Sequence, residues 1–202
     1  MLDRQLLAAT KPLVDAAARK IVARNITADQ ISLAGFGFGL LAALLIAAGF
    51  TTLAIWPLLI NRLCDGLDGA VARLTTPTDR GAFLDITLDF LFYAAVPLAF
   101  AITNPDGNGL AGAVLLASFI GTGTSFLAFA ILAAKRGEKS DAYPSKAFYY
   151  LGGLTEGFET VACFVAMCLW PAHFALIAYV YAALCAVTTG TRVVAGWQRF
   201  AR

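Results

Sequence analysis

The chain has 202 residues, of which 59% are hydrophobic and 14% are charged, and its net charge is +2. Soluble globular domains are about half apolar and about a quarter charged, so this composition excludes an ordinary soluble domain and predicts a membrane protein. The small net charge is informative only through the positions of the charged residues, and we expect no nucleic-acid partner.

Residues 1–26 predict an amphipathic helix on the inner membrane surface, because apolar residues recur there at helical spacing and charged residues occupy other faces. The apolar residues are Leu6, Leu7, Leu13, Val14, Ala17, Ala18, Ile21 and Val22, and the charged ones are Lys11, Asp15, Arg19 and Lys20. The alternative is a soluble cap over the bundle. A secretory signal fits poorly because Asp3, Asp15 and Asp29 interrupt the apolar core that such a signal needs.

Six apolar segments follow, each near the length of about 20 residues that a membrane-spanning helix needs. They are Ile31–Phe50, Thr52–Leu74, Ala82–Thr103, Gly109–Ala134, Phe148–Ala172 and His173–Gly196. Thr27 and Gln30 have the spacing of a capping box, which places the start of the first helix at Thr27. The expected fold is all-α, with an interfacial helix over residues 1–26 and a six-helix transmembrane bundle over residues 27–202, together forming a single domain of residues 1–202.

The lysines and arginines predict the orientation of these helices, because positively charged loops resist translocation. With a cytoplasmic N-terminus, the inner side carries Lys11, Arg19, Lys20, Arg24, Arg80, Lys135, Arg136, Lys139, Lys146, Arg199 and Arg202. The opposite turns, near Thr51, residues 104–108 and residues 171–173, contain no lysine or arginine. We therefore expect a multi-pass protein of the inner (plasma) membrane whose termini and active site are cytoplasmic.

Four aspartates lie inside the second and third apolar segments. Asp65 and Asp68 are three residues apart, and Asp85 and Asp89 are four apart, so each pair shares one helix face. A charged side chain at membrane depth costs roughly 2.5 to 3.5 kcal/mol on insertion scales, so a group of four needs compensation. Hard oxygen ligands in this number suit Mg²⁺ or Mn²⁺, and we predict a site for two such ions.

Small residues accompany the aspartates. Gly69, Ala72 and Gly81 would let a nucleotide or pyrophosphate approach the helix backbone, and Arg73 could meet a phosphate oxygen with its planar guanidinium. For any single one of these small residues, helix packing is an equally good explanation.

The order of these residues resembles the signature of the CDP-alcohol phosphatidyltransferase family. The sequence reads Asp65-x-x-Asp68-Gly69-x-x-Ala72-Arg73 and then Gly81-x-x-x-Asp85-x-x-x-Asp89, which matches every defined position of that signature. Seven residues separate the two halves, slightly fewer than is usual in the family. Where family members often have Thr-Pro-Asn before the first span, this chain has Thr27-Ala28-Asp29.

The resemblance implies an integral membrane enzyme that transfers a substituted phosphoryl group from a CDP-linked donor to an alcohol and releases CMP. It implies that Asp65, Asp68, Asp85 and Asp89 hold two metal ions, and that Asp89 is also the general base. It places the CDP part of the donor against Gly69, Ala72, Arg73, Thr78 and Gly81. The expected partners are CDP-diacylglycerol or a related donor, a small alcohol acceptor, membrane lipid and a second copy in a homodimer.

Other polar residues inside the spans suggest secondary roles. Arg62 lies at about the depth of Glu156 and Glu159, so we expect it to pair with one of them. Arg192 and Arg136 are candidates for binding an anionic acceptor. The small residues Ala117, Gly121 and Ser125 favour close helix packing, within the chain or across a dimer.

Three other functions compete with the transferase. An intramembrane cation or proton transporter would also use acidic residues, but the aspartates cluster in the inner half of the membrane and the outer turns carry little charge. A membrane prenyltransferase generally has more helices and two acidic motifs far apart in sequence. A noncatalytic relative is disfavoured because no defined motif residue is missing.

Overall fold

The structure, a computed structural model, describes residues 2–137 and 154–201, with side chains from residue 11 onward, and all regular structure in these ranges is helical. The elements are α1 (Leu2–Val22), α2 (Ala28–Ala47), α3 (Thr51–Leu74), α4 (Asp79–Thr103), α5 (Pro105–Lys135), α6 (Gly157–Leu169), a short 3-10 helix (Pro171–His173) and α7 (Phe174–Phe200). The all-α prediction is confirmed for this part of the chain.

Side-chain caps define where several helices begin. Thr27 accepts a hydrogen bond from the backbone N–H of Gln30, whose side chain accepts one from the N–H of Thr27, so the predicted capping box is present. Thr78 caps α4 and Asn104 caps α5 in the same way. Between α3 and α4, the four-residue turn 75–78 contains Pro77, which disfavours continuation of the helix. The two aspartate-bearing helices that this turn joins both pack against α2.

In the part of the chain that the structure describes, four helical segments are long and apolar enough to cross a membrane, namely α2, α4, α5 and the 3-10 helix with α7. Although α3 has 24 residues, it contains four charged side chains, and α6 has 13 residues. Part of the predicted fifth span, Phe148–Ala172, lies at positions 148–153, outside the described residues. Large apolar side chains such as Leu44, Leu110 and Ile131 are exposed along these helices, as expected for a surface that faces lipid.

The bundle packs around α2, which lies against both α3 and α4, while α5 packs against α4 and α7. The core between the helices contains buried aromatic side chains, including Phe92, Phe100, Phe164 and Phe174. At the other end, α1 packs on the bundle through Ala18, which is buried in a cluster with Ile31, Ala70 and Val71. Leu13 on α1 is exposed.

Glycines set how closely these helices approach. A Cβ atom at Gly39 of α2 would lie 2.7 Å from the Phe92 ring, and one at Gly123 of α5 would lie 2.5 Å from the Phe90 ring. At Gly121, a Cβ would lie 3.1 Å from the hydroxyl of Thr189 on α7. The small-residue stripe of α5 therefore packs within the chain at this position.

We expect Gly39→Ala to lower the free energy of unfolding by about 1–3 kcal/mol, because the Phe92 ring would have to move out of a well-packed core. Gly37→Ala on the same helix is the matched control, since a Cβ there meets nothing within 4 Å. Thermal unfolding in detergent micelles measures both variants. An equal loss of stability in the two would contradict this account of the packing.

Candidate metal and substrate site

The predicted aspartates of α3 and α4 come together. Asp65, Asp85 and Asp89 each offer a carboxylate oxygen, and these three oxygens all lie within 4.8 Å of one another. Asp68 lines the same pocket. The described residues that line this pocket are Ser32, Gly35, Phe36, Asn61, Arg62, Asp65, Asp68, Asp85, Leu88 and Asp89. Three helices, α2, α3 and α4, therefore supply its walls.

Asp68 is the only buried residue among the four aspartates, with 6% of its surface accessible to solvent. The hydroxyl of Ser32 on α2 donates a hydrogen bond to its Oδ2 atom at 2.5 Å. A hydrogen bond to an ionised acceptor is shorter and stronger than one between neutral groups. This contact fixes the carboxylate against α2.

Arg62 is the positively charged side chain among the described residues that line the pocket. Its Nη2 atom donates to Oδ1 of Asp89 at 2.5 Å, and its Nη1 atom lies 3.4 Å from Oδ2 of Asp65. The predicted pairing of Arg62 with Glu156 or Glu159 is therefore wrong. The physical reason is proximity: Asp65 lies one helical turn further along α3, and Asp89 faces it from α4.

Further contacts fix the Arg62 guanidinium in one place. Its Nε atom donates to Oδ1 of Asn61 at 3.0 Å, and Nη1 donates to the hydroxyl of Tyr93 at 3.0 Å. The guanidinium carbon lies 5.4 Å from the ring centroids of both Phe92 and Tyr93. Asn61 is itself held, because its side-chain amide donates to the carbonyl of Gly35 at 2.9 Å.

Ser32, Asn61 and Tyr93 were not predicted as site residues. Asn61 and Arg62 stand together as two polar residues in an otherwise apolar stretch, a signal that the sequence does contain. Ser32 and Tyr93 give no such signal, because a single hydroxyl in an apolar helix commonly bonds to a backbone carbonyl of its own helix.

The predicted donor-binding residues lie beyond the pocket, toward the α3–α4 turn. Gly69, Ala72 and Arg73 occupy the last turns of α3, and a Cβ at Gly69 would lie 3.3 Å from Nη1 of Arg73, so the arginine side chain passes close to the glycine. At the start of α4, the Thr78 hydroxyl accepts a hydrogen bond from the N–H of Gly81 at 3.0 Å. None of these residues is among the described lining residues of the pocket.

Asp29 of α2 faces the start of α4. Its Oδ2 atom lies 2.6 Å from Nη2 of Arg80, and a Cβ at Gly81 would lie 3.3 Å from its Oδ1 atom. Asp29 belongs to the segment Thr27-Ala28-Asp29 in which the sequence departs from the family pattern. The ion pair links α2 to α4 at the end of the pocket where the donor residues lie.

The two predicted acceptor residues have different surroundings. Arg136 donates to the carbonyls of Arg199 and Phe200 at 3.1 and 3.2 Å, so it contacts the last residues of α7. Arg192 is buried in α7 and donates to the carbonyl of Thr122 at 3.0 Å. Neither is among the described residues that line the carboxylate pocket, and their acceptor role stays a prediction.

The donor set of the pocket fits a hard divalent cation. Its ligands are carboxylate oxygens from two helices, which are the groups that Mg²⁺ and Mn²⁺ prefer. The guanidinium of Arg62 already contacts two of these carboxylates, which shows that their arrangement attracts positive charge. The arrangement can hold cations beside a substrate that carries phosphate groups.

Comparisons with known proteins show the family of the chain and solved structures of similar fold. A model of the family described as CDP-alcohol phosphatidyltransferase matches residues 25–194. The chain is 53% identical over 197 residues to "Inner membrane protein YnjF" of Escherichia coli (strain K12), a match that covers 98% of this chain and 96% of that protein.

Two solved structures have a similar fold. One is the phosphatidylinositol phosphate synthase PgsA1 of Mycobacterium tuberculosis with CDP-DAG bound, with a TM-score of 0.72 at 21% identity, covering 92% of this chain and 94% of that one. The other is the same enzyme with manganese and citrate, with a TM-score of 0.70 at 21% identity, covering 91% and 88%. At this level of identity the similarity concerns the fold.

We expect Ser32→Ala to lower the free energy of unfolding by about 1–3 kcal/mol in the presence of a chelator, because the buried Asp68 carboxylate loses a charge-assisted hydrogen bond. Ser125→Ala is the control: its hydroxyl bonds to a carbonyl of its own helix, so we expect a smaller change. Thermal unfolding in detergent with EDTA measures both. Equal stability of Ser32→Ala and the unsubstituted protein would show that the contact does not hold Asp68.

Proposed function

The chain belongs to the CDP-alcohol phosphatidyltransferase family, and on that premise we propose that it transfers a phosphatidyl group from CDP-diacylglycerol, or a related CDP-linked donor, to a small alcohol with release of CMP. The observation that carries the proposal is the convergence of four aspartates from α3 and α4 on one pocket. A membrane protein retains such a costly group of charges where it serves a function.

We further propose that the pocket uses two divalent cations, Mg²⁺ or Mn²⁺, held by Asp65, Asp68, Asp85 and Asp89. When bound, such ions supply charge neutralisation at the pyrophosphate and make CMP a better leaving group. The proposal is supported by the oxygen-only donor set of the pocket. It is also supported by the similar fold of an enzyme whose structures contain CDP-DAG in one case and manganese in the other.

The protein's own residues would bind and orient the reactants. The CDP part of the donor would lie along Gly69, Ala72, Arg73, Thr78 and Gly81, at the inner end of α3 and α4, which places its pyrophosphate at the carboxylates. Phosphoryl transfer depends mainly on such positioning, with the attacking and leaving oxygens in line. The acceptor hydroxyl would then approach from the side opposite CMP, toward Asp89.

Asp89 is proposed as the general base that accepts the proton of the acceptor hydroxyl. One of its oxygens accepts a hydrogen bond from Arg62, so the other would take the proton. A positioned carboxylate within hydrogen-bond reach of the hydroxyl can take the proton as the oxygen attacks phosphorus. Arg192 is proposed to contribute to acceptor binding from α7 and Arg136 from the end of α5, provided that the acceptor is anionic.

We propose that the chain crosses the membrane six times, through the four long apolar helical segments and through α3 and α6. Residues 1–202 would form one domain in the inner membrane, with α1 at its cytoplasmic surface and with cytoplasmic termini and active site. The inner-membrane placement is supported by the relative from Escherichia coli. A homodimer is also proposed, and because Gly121 packs against Thr189 within the chain, we place its interface on another surface.

The proposed activity is tested by incubating the purified protein with CDP-diacylglycerol, Mn²⁺ and single alcohols such as glycerol phosphate, serine and inositol phosphate while CMP release is followed. We expect release to depend on both the metal and one of the alcohols. Metal-dependent ion flux into vesicles without CMP release from any donor would favour the transporter instead.

We expect Asp89→Asn to lower the turnover number by at least about 100-fold, because the amide cannot accept the proton of the acceptor. Binding of the CDP-linked donor should survive, as measured by the increase in melting temperature that the donor produces. Asp106→Asn is the control, since Asp106 is exposed at the start of α5, on the side opposite the proposed active site. Substantial residual turnover in Asp89→Asn would contradict the role of Asp89 as base.

A further inference from the structure

We propose that Arg62 is a built-in counter-ion of the carboxylate pocket, which neutralises Asp65 and Asp89 when no metal is bound and competes with a divalent cation for them. The inference rests on the proposed function in one respect, that the pocket binds divalent cations. It assigns to Arg62 a positioning role that lies outside the signature of aspartates, glycines and Arg73.

Arg62 contacts carboxylates on both aspartate-bearing helices. Of the three carboxylates whose oxygens lie within 4.8 Å of one another, Arg62 contacts two, one on α3 and one on α4. A divalent cation bound in the pocket would take oxygens of the same carboxylates, Mg²⁺ at about 2.0–2.1 Å. Lone pairs that accept N–H groups of Arg62 are then not free for the metal. Metal and guanidinium therefore compete for the negative charge of the same two carboxylates.

Arg62 has little freedom to move away from these carboxylates. Its Nε atom donates a hydrogen bond to Asn61, whose side chain donates one to the backbone of α2. The planar guanidinium also lies beside the rings of Phe92 and Tyr93. The side chain is 15% exposed. When a cation binds, the positive charge of Arg62 therefore stays within a few ångströms of it. Repulsion at that distance in a poorly hydrated pocket weakens metal binding.

The net charge of the loaded pocket depends on Arg62. With all four carboxylates ionised, they and Arg62 carry a net charge of −3, so two divalent cations bring the pocket to +1. Without Arg62 the same two cations would leave it neutral. An excess positive charge disfavours binding of the two cations alone and favours their binding together with an anionic pyrophosphate. Arg62 therefore couples metal binding to donor binding, and the two should bind with positive cooperativity.

The test is direct Mn²⁺ binding to the full-length protein in detergent without donor, with free Mn²⁺ followed by electron paramagnetic resonance. We expect Arg62→Gln to bind Mn²⁺ at least about tenfold more tightly than the unsubstituted protein, because the competing charge is removed. Arg62→Lys keeps the charge and should stay within about threefold of the unsubstituted protein. Lys135→Gln, the same loss of charge at the exposed end of α5, should leave the affinity unchanged.

A second neutral variant keeps the test decisive if Arg62→Gln does not fold. Arg62→Met is neutral and can keep the contact with the Phe92 and Tyr93 rings, since methionine sulfur packs well against aromatic groups. For both neutral variants we expect a lower melting temperature in EDTA and a larger Mn²⁺-induced increase in melting temperature than in the unsubstituted protein. The gain from adding CDP-diacylglycerol to Mn²⁺ should be smaller in them, because the coupling is lost.

Unchanged or weaker Mn²⁺ binding in a folded neutral variant would overturn the inference and would leave Arg62 as a structural ion pair. Mn²⁺ binding to none of the proteins would overturn both the inference and the metal dependence of the proposed function. Tighter binding in the neutral variants together with no CMP release from the unsubstituted protein would support the role of Arg62 while contradicting the transferase activity. CMP release together with no effect of the Arg62 variants on Mn²⁺ affinity would support the transferase activity and contradict the role of Arg62.

Discussion

The organisation of this protein depends on holding carboxylates inside a membrane bundle. A carboxylate removed from water must be paired, hydrogen-bonded or bound to a metal, since otherwise its solvation is lost without compensation. Here Asp68 is compensated by the Ser32 hydroxyl, and Asp65 and Asp89 are compensated by Arg62. The compensation is partial, because one cation faces several carboxylates, and that remaining demand for positive charge is what makes the pocket a metal site in the proposed function.

Helix packing and site chemistry are linked through α2. Cβ atoms at Gly35 and Gly39 would lie 2.7 Å from Cys64 and from the Phe92 ring, so only glycine permits α2 to approach α3 and α4 this closely. The same approach brings the carbonyl of Gly35 to the side chain of Asn61, which in turn orients Arg62. Residues that only pack and residues of the proposed site therefore form one continuous network. Substitution of these glycines should change the position of Arg62 in the pocket.

The local features of the chain were predictable because they depend on residues close together in sequence. The capping box of Thr27 and Gln30 is present as expected, and the spacing of each aspartate pair places it on one helix face. The four aspartates line a common pocket because α3 and α4 are consecutive helices that both pack against α2. The family resemblance of the motif is confirmed by the match over residues 25–194.

Contacts between residues that are distant in sequence were decided only by the tertiary structure. Depth along the helix suggested glutamate partners for Arg62, but depth says nothing about the rotation of one helix about its axis relative to another. The rotation of α3 directs Arg62 toward α4 and Asp89, and the close approach of α2 adds Ser32 to the site. The sequence by itself therefore determined which residues share a face and what chemistry they offer. The packing of the bundle determined which faces meet, because that depends on the shapes of many side chains at once.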